Sequence, residues 1–187
     1  YLAIYLKRKC LGRCTGVSFI DSTPLVVCKN PRIHCHKVFA GLAERGKSST
    51  GWFFGFKLHL VANDQGEILN IKLTSGNVDD RKPVPDLLKE FFGSVYGDKG
   101  YISSPLASQL LVDHGIRLIT KLKSNMKNRI MLYWDRIMLR RRAIIETIID
   151  QLKNISQIEH SRHRSLNNFI INVLCGVIAY CFRPVKP

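Results

Sequence analysis

Residues 51–74 read GWFFGFKLHLVANDQGEILNIKLT, and this stretch decides the fold class. Residues 51–62 are aromatic and apolar with partial alternation, and residues 68–74 alternate more regularly, which is typical of β-strands. Between them, residues 63–66 (NDQG) have the composition of a turn. The stretch therefore predicts a β-hairpin.

Periodic segments on both sides of the hairpin predict further strands and helices. A short strand at residues 16–21 ends at Asp21, and another at residues 94–98 ends at Asp98. The remaining segments are a helix at 83–92, a helix at 103–114, a strand at 116–122, a long helix at 133–155 and a final helix at 165–182. This order predicts a single α/β domain over residues 1–187, with a basic loop or insertion at about 28–50 and a C-terminal helical segment at about 156–183.

The charge distribution points to a polyanionic partner. The chain has 29 Lys and Arg residues against 14 Asp and Glu residues, a net charge of +15. The basic excess lies in residues 1–50 and 117–142, on either side of a mildly acidic middle, which favours nucleic acid over a merely solvated basic surface. The apolar run at 169–182 is too short to span a membrane and no export signal opens the chain, so we expect a cytosolic protein.

Three carboxylates lie at positions where they could form a ligand-binding site. Asp21 and Asp98 each follow an apolar strand, a place where ligands collect, although a turn or cap role would also explain Asp98. Glu146 lies on the long predicted helix, where a period of 3.6 residues puts it on one stripe with Arg142 and Lys153. A solvent-exposed row of ion pairs would explain the same stripe.

These residues belong to segments that resemble a known family. The segments are IDST at 20–23, GWFFGFKLH at 51–59, TSGNVDD at 74–80, GDKGY at 97–101, and the Arg-x3-Glu-x6-Lys pattern from Arg142 to Lys153. In this order they are similar to the DDE transposases of bacterial insertion sequences with a Tyr-Arg-Glu-Lys signature, and most of all to insertion-sequence group nine-eighty-two. The Tyr position is Leu139 here. The family has a longer segment ahead of the first Asp, so we expect an N-terminal part to be missing.

The resemblance implies an RNase H-like fold of the retroviral-integrase type, a mixed sheet flanked by helices. It implies that Asp21, Asp98 and Glu146 are catalytic and hold two Mg²⁺ or Mn²⁺ ions, with Asp21 shared between both. Hard divalent ions take oxygen ligands, and three clustered carboxylates would repel one another without a cation. The implied reaction is hydrolytic DNA cleavage followed by strand transfer from the freed 3′-OH.

The resemblance and the basic blocks together give a set of expected DNA contacts: Lys57, His59, Lys121, Lys123, Arg140, Arg141, Arg142 and Lys153. Two alternatives stay open, namely that Arg142 pairs with Glu146 or Asp150 and that His59 is structural. The implied partners are the transposon ends and target DNA, two ends would favour a homodimer, and the implied location is a bacterial cytoplasm, at the nucleoid. The rival functions are a metal-dependent nuclease of the same fold and a truncated, non-catalytic DNA-binding remnant.

Overall fold

Six strands form one mixed sheet in the computed structural model, which describes residues 1–122, 126, 130–159 and 163–187. The strands are β1 (Val17–Cys28), β2 (Glu44–Ser48), β3 (Gly51–Asn63), β4 (Ile68–Ser75), β5 (Ser94–Gly97) and β6 (Arg117–Thr120). Their order is β2-β3-β1-β5-β6, and β4 pairs with β3 beyond the end of β2. Strands β1 to β4 pair antiparallel, whereas β5 runs parallel to β1 and to β6.

The predicted hairpin is confirmed as β3 and β4. Its turn is fixed by Asn63, whose side-chain Oδ1 accepts hydrogen bonds from the backbone N–H groups of Gln65 and Glu67. Gly66 has a φ of 76°, a conformation that glycine adopts without strain. Local turn chemistry and strand alternation therefore agree, which is why the sequence alone was sufficient here.

Helices cover both faces of the sheet. Their bounds are α1 (Leu2–Tyr5, continued by a π-helical turn Leu6–Cys10), α2 (Val84–Leu88), α3 (Ser104–His114), α4 (Tyr133–Arg141), α5 (Ala143–Asn154) and α6 (Leu166–Cys181). The predicted start and stop of α3 are confirmed, since the Ser103 hydroxyl accepts from the N–H of Leu106 and Gly115 ends the helix with a φ of 65°. Among the described residues, no helix has the length and apolarity needed to cross a bilayer.

The two faces of the sheet bury separate apolar clusters. Helices α4, α5 and α6 pack with Phe19 of β1 on one face, and α2 and α3 pack with Ile20 on the other. Successive side chains of a strand point to opposite faces, so Asp21 lies on the same face as Phe19, toward α5. This alternation decides on which side of the sheet a site can form.

Three features differ from the predictions. Strand β1 continues past Asp21 to Cys28, and the expected loop at 28–50 contains a 3₁₀ turn (Asn30–Cys35) and the strand β2. The single helix predicted for 133–155 is divided at Arg142, where an i→i+3 hydrogen bond from the N–H of Ile145 tightens the turn. The helical spacing of apolar residues continues through residue 142, which is why the sequence predicted one helix.

Strand β1 can continue through Pro24 because one of its edges is free at that residue. A proline cannot donate a ladder hydrogen bond and is tolerated in a strand only where one edge is free. Strand β5 pairs only with residues 17–19 of β1, which leaves the edge free at Pro24. Two residues on, the N–H of Val26 points to the same edge and donates to Glu159 Oε1 at 3.1 Å.

We expect Ile148→Ala to lower the free energy of unfolding by about 2–5 kcal/mol, because Ile148 of α5 is fully buried in the core and its loss leaves a cavity. Ile130 is fully exposed, so Ile130→Ala should change the free energy by no more than about 0.5 kcal/mol. Urea denaturation followed by circular dichroism measures both. Equal losses in the two variants would contradict this account of the core.

Candidate active site

The parallel pairing of β1 with β5 brings Asp21 and Asp98 to one level of the sheet. Phe19 pairs with Tyr96, and two residues further along both strands come Asp21 and Asp98. Strand β5 ends at Gly97, so Asp98 lies just beyond its carboxyl end. The third carboxylate, Glu146, lies in the first turn of α5, which packs on β1.

One guanidinium joins all three carboxylates. Arg142 Nη1 donates to Asp21 Oδ2 at 2.8 Å, and its Nη2 donates to Glu146 Oε1. The same Nη2 lies 3.9 Å from Asp98 Oδ1. Residues that are far apart in the chain therefore meet around a single cationic side chain, and the structure brings together the three acids expected from the sequence.

The three carboxylates differ in their exposure. The Asp21 side chain is 21% exposed, whereas those of Asp98 and Glu146 are 49% and 58% exposed. Burial raises the pKa of the Asp21 carboxyl above its ordinary value, and Asp98 adds to the increase. Arg142 and the N–H of Ser22, which donates to Asp21 Oδ1 at 2.8 Å, oppose this increase without cancelling it. A neighbouring cation favours the charged form of such a desolvated carboxyl group.

Tyr101 is a neighbour of the cluster to which the sequence analysis gave no role. Its side chain is buried, and burial followed by the charges of Asp21 and Asp80 raises the pKa of its hydroxyl well above 10.0. The phenol is therefore neutral beside the carboxylates. Its place in the GDKGY segment, three residues after Asp98, was the signal that could have identified it.

The donor chemistry of the cluster fits a hard divalent cation, because all of its ligand atoms are carboxylate oxygens. In this structure the three carboxylates are arranged around the guanidinium of Arg142. Within the described residues, no group of three or more His, Cys, Asp or Glu side chains is placed to hold a metal ion.

Arg142, one of the expected DNA contacts, is held by the acids in this structure. Its side chain is only 9% exposed, and its Nη atoms are engaged by Asp21 and Glu146. The alternative of a pair with Glu146 is what the structure shows, and the Arg142 side chain in that pair is buried while Glu146 is exposed. Lys153 is also engaged, with its Nζ 2.7 Å from Glu159 Oε2.

The two contacts expected on β3 are corrected. His59 is fully buried, and its Nε2 lies 2.8 Å from the Thr74 hydroxyl, so the structural alternative holds and no surface is left for DNA. Lys57 is 12% exposed and donates to Asp80 Oδ1 at 3.0 Å and to the carbonyl of Val78. Alternation placed both on one face, but the sequence did not reveal that the following loop covers that face.

The remaining expected contacts are on the surface. Lys121, Arg140 and Arg141 are exposed, and Lys121 and Arg140 line one open depression with Arg136. Lys123 lies outside the described residues. These three exposed residues come from the end of β6 and from α4.

We expect His59 to make stability depend on pH. Burial lowers the pKa of His59 from 6.5 to about 4, with Lys57 and Lys72 adding and Asp80 opposing. Between these pH values the unfolded chain takes up a proton that the folded chain does not. The contribution of His59 is therefore complete above pH 6.5 and is lost as the pH falls to 4, by roughly 3 kcal/mol at about 1.4 kcal/mol per pKa unit.

Urea denaturation at pH 7, 5.5 and 4 measures this effect as the difference between the wild type and His59→Gln, which should shrink as the pH falls. His34 is exposed, and His34→Gln should leave the pH profile unchanged. Parallel profiles for the wild type and His59→Gln would show that the neutral buried histidine is not responsible.

Comparison with known proteins identifies the family of the chain. A family model described as Transposase DDE domain matches residues 11–166, a range that contains Asp21, Asp98, Arg142 and Glu146. A search of curated proteins gives no significant match. Members of the matched family are DNA-binding enzymes that cut and transfer strands and generally use divalent metals, and their domain is RNase H-like, so the predicted fold class is confirmed. This chain belongs to the DDE transposase domain family.

Proposed function

We propose that this chain is the catalytic domain of an insertion-sequence transposase, which cleaves DNA and transfers the freed strand in the presence of divalent ions. The observation that carries the proposal is the convergence of Asp21, Asp98 and Glu146, from three different elements, on one cationic group. A cluster of acids that already binds a cation has the charge and the ligand atoms for Mg²⁺ or Mn²⁺.

Each acid has a distinct task in this proposal. Asp21 is the most buried of the three and is oriented by the N–H of Ser22, so it would be the most rigidly held ligand of the ions. Asp98 and Glu146 are about half exposed and would complete the ion site on the side open to DNA. Bound ions would polarise the scissile phosphate and activate the attacking oxygen.

The finer family assignment rests on the Arg142-x3-Glu146-x6-Lys153 pattern and belongs to the proposal, as does the resemblance to insertion-sequence group nine-eighty-two. Leu139, in the Tyr position of the signature, is 5% exposed and packs in the core. The side chain at that position therefore stabilises the packing of α4 in the core. We also propose that two copies act on two transposon ends in a bacterial cytoplasm.

We expect Asp21→Asn to reduce cleavage of end-labelled transposon DNA in Mn²⁺ by at least about 100-fold, equivalent to about 2.7 kcal/mol of transition-state stabilisation. The substitution removes the charge that attracts the ions and keeps the shape of the side chain. Asp113, exposed near the end of α3, provides the matched control Asp113→Asn, which should cleave like the wild type. Circular dichroism confirms folding of each variant.

Full cleavage and joining by Asp21→Asn would overturn the assignment. A wild type that cuts without joining would favour the nuclease, and one that binds DNA without cutting it in Mg²⁺ or Mn²⁺ would favour the non-catalytic DNA-binding protein. Gel analysis of nicked, joined and shifted species separates these three outcomes.

We expect the exposed Lys121, which follows β6, and the exposed arginines of α4 to contact phosphates of the DNA backbone. Each phosphate contact releases counterions, so the logarithm of the DNA association constant falls linearly with the logarithm of the salt concentration. We expect the double substitution of Lys121→Gln with Arg140→Gln to reduce that slope by about 2, roughly one per lost contact. Fluorescence anisotropy with labelled duplex at several salt concentrations measures it.

Lys82 and Lys89 are exposed beside α2, which packs on the opposite face of the sheet. The double substitution of Lys82→Gln with Lys89→Gln makes the same charge change and should leave the slope close to that of the wild type. Equal reductions in both double variants would mean that only the net charge matters, contrary to a localised surface.

A further inference from the structure

The position of Arg142 is unusual for an arginine of a DNA-binding surface. Its neighbours Arg140 and Arg141 are exposed, whereas its own side chain is 9% exposed and faces the acids. The planar guanidinium has a fork of donors, and here the two Nη atoms reach different carboxylates. The cluster is thus a cation-binding site that the chain fills with one of its own side chains.

The fit of this internal cation is incomplete. The Nε of Arg142 is buried and has no hydrogen-bond partner in the described part of the chain. Asp98 is only at ion-pair distance, 3.9 Å from Nη2. A buried donor without a partner costs free energy, so the guanidinium is held less tightly than a fully bonded one would be.

The place of Arg142 in the chain puts it next to the exposed arginines of α4. Arg142 is the residue between α4 and α5, and it follows directly on the exposed pair Arg140 and Arg141. DNA bound along α4 would therefore bring phosphates next to the start of this side chain. A phosphate offers the guanidinium a bidentate partner of the kind it loses on leaving the carboxylates.

We propose that the guanidinium of Arg142 occupies the cluster of Asp21, Asp98 and Glu146 until it is displaced, and that divalent-ion binding and DNA binding are coupled through this displacement. The inference rests on the proposed function, because it takes the same acids as the ion site. A divalent ion and the guanidinium compete for the same oxygens. DNA that attracts the guanidinium therefore strengthens ion binding, and by linkage the ion strengthens DNA binding to the same extent.

The test is a titration with Mn²⁺ alone, followed by electron paramagnetic resonance, with no cleavage readout. Without DNA, Arg142→Gln should bind Mn²⁺ roughly tenfold more tightly than the wild type, within the usual range of such coupling. Arg141→Gln removes the same charge one residue away and should stay within about twofold. Arg142→Lys keeps the charge but presents a single ammonium, so its affinity should lie between those of the wild type and Arg142→Gln.

A second titration, in the presence of a saturating short duplex, measures the coupling. Duplex should tighten Mn²⁺ binding to the wild type more than to Arg142→Gln, because the variant has no guanidinium to displace. If Arg142→Gln does not fold, Arg142→Lys replaces it in the titrations without and with duplex.

Equal or weaker Mn²⁺ binding by the Arg142 variants, or the same gain from duplex in all proteins, would overturn the inference and leave the proposed function standing. No Mn²⁺ binding by any of the proteins, with or without duplex, would overturn both.

Discussion

The ion pair between Arg142 and Asp21 is the interaction on which the site depends. It joins the division between α4 and α5 to the middle of β1, and through the same guanidinium it holds Glu146 and draws in Asp98. Without an opposing cation, acids this close would repel and disfavour their own fold. A buried charge is costly without its partner, and the most buried pair here is Arg142 with Asp21.

Strand register and helix packing fix the positions of the three acids. The parallel register of β1 and β5 aligns two of the acids, and the apolar face of α5 fixes the third by packing on β1. Strand alternation then directs Asp21 and α5 to the same side of the sheet. The site is therefore carried by rigid elements, while the cations that we expect to meet DNA lie on α4 and at the end of β6.

The sequence predicted those parts of the molecule that depend on local patterns. The hairpin, α3 with its caps and the strands that precede Asp21 and Asp98 follow from alternation, turn residues and capping. The partner of Arg142 could not be predicted in this way, since a helix stripe reveals Glu146 four residues away but not Asp21, which is 121 residues away. Periodicity assigns a side chain to one face of a strand but does not show what covers that face. His59 and Lys57 were therefore expected to be accessible to DNA.

The hydrogen bond from the N–H of Val26 to Glu159 has a consequence for solubility. In the part of the chain that the structure describes, no strand pairs with β1 beyond Phe19 on the side of β5, and an unpaired edge is a template on which another chain can add. Glu159 binds the N–H of Val26 at this edge and is itself held by Lys153. The segment after α5 thereby protects the free edge of a central strand from aggregation, a task separate from any chemistry at the acids.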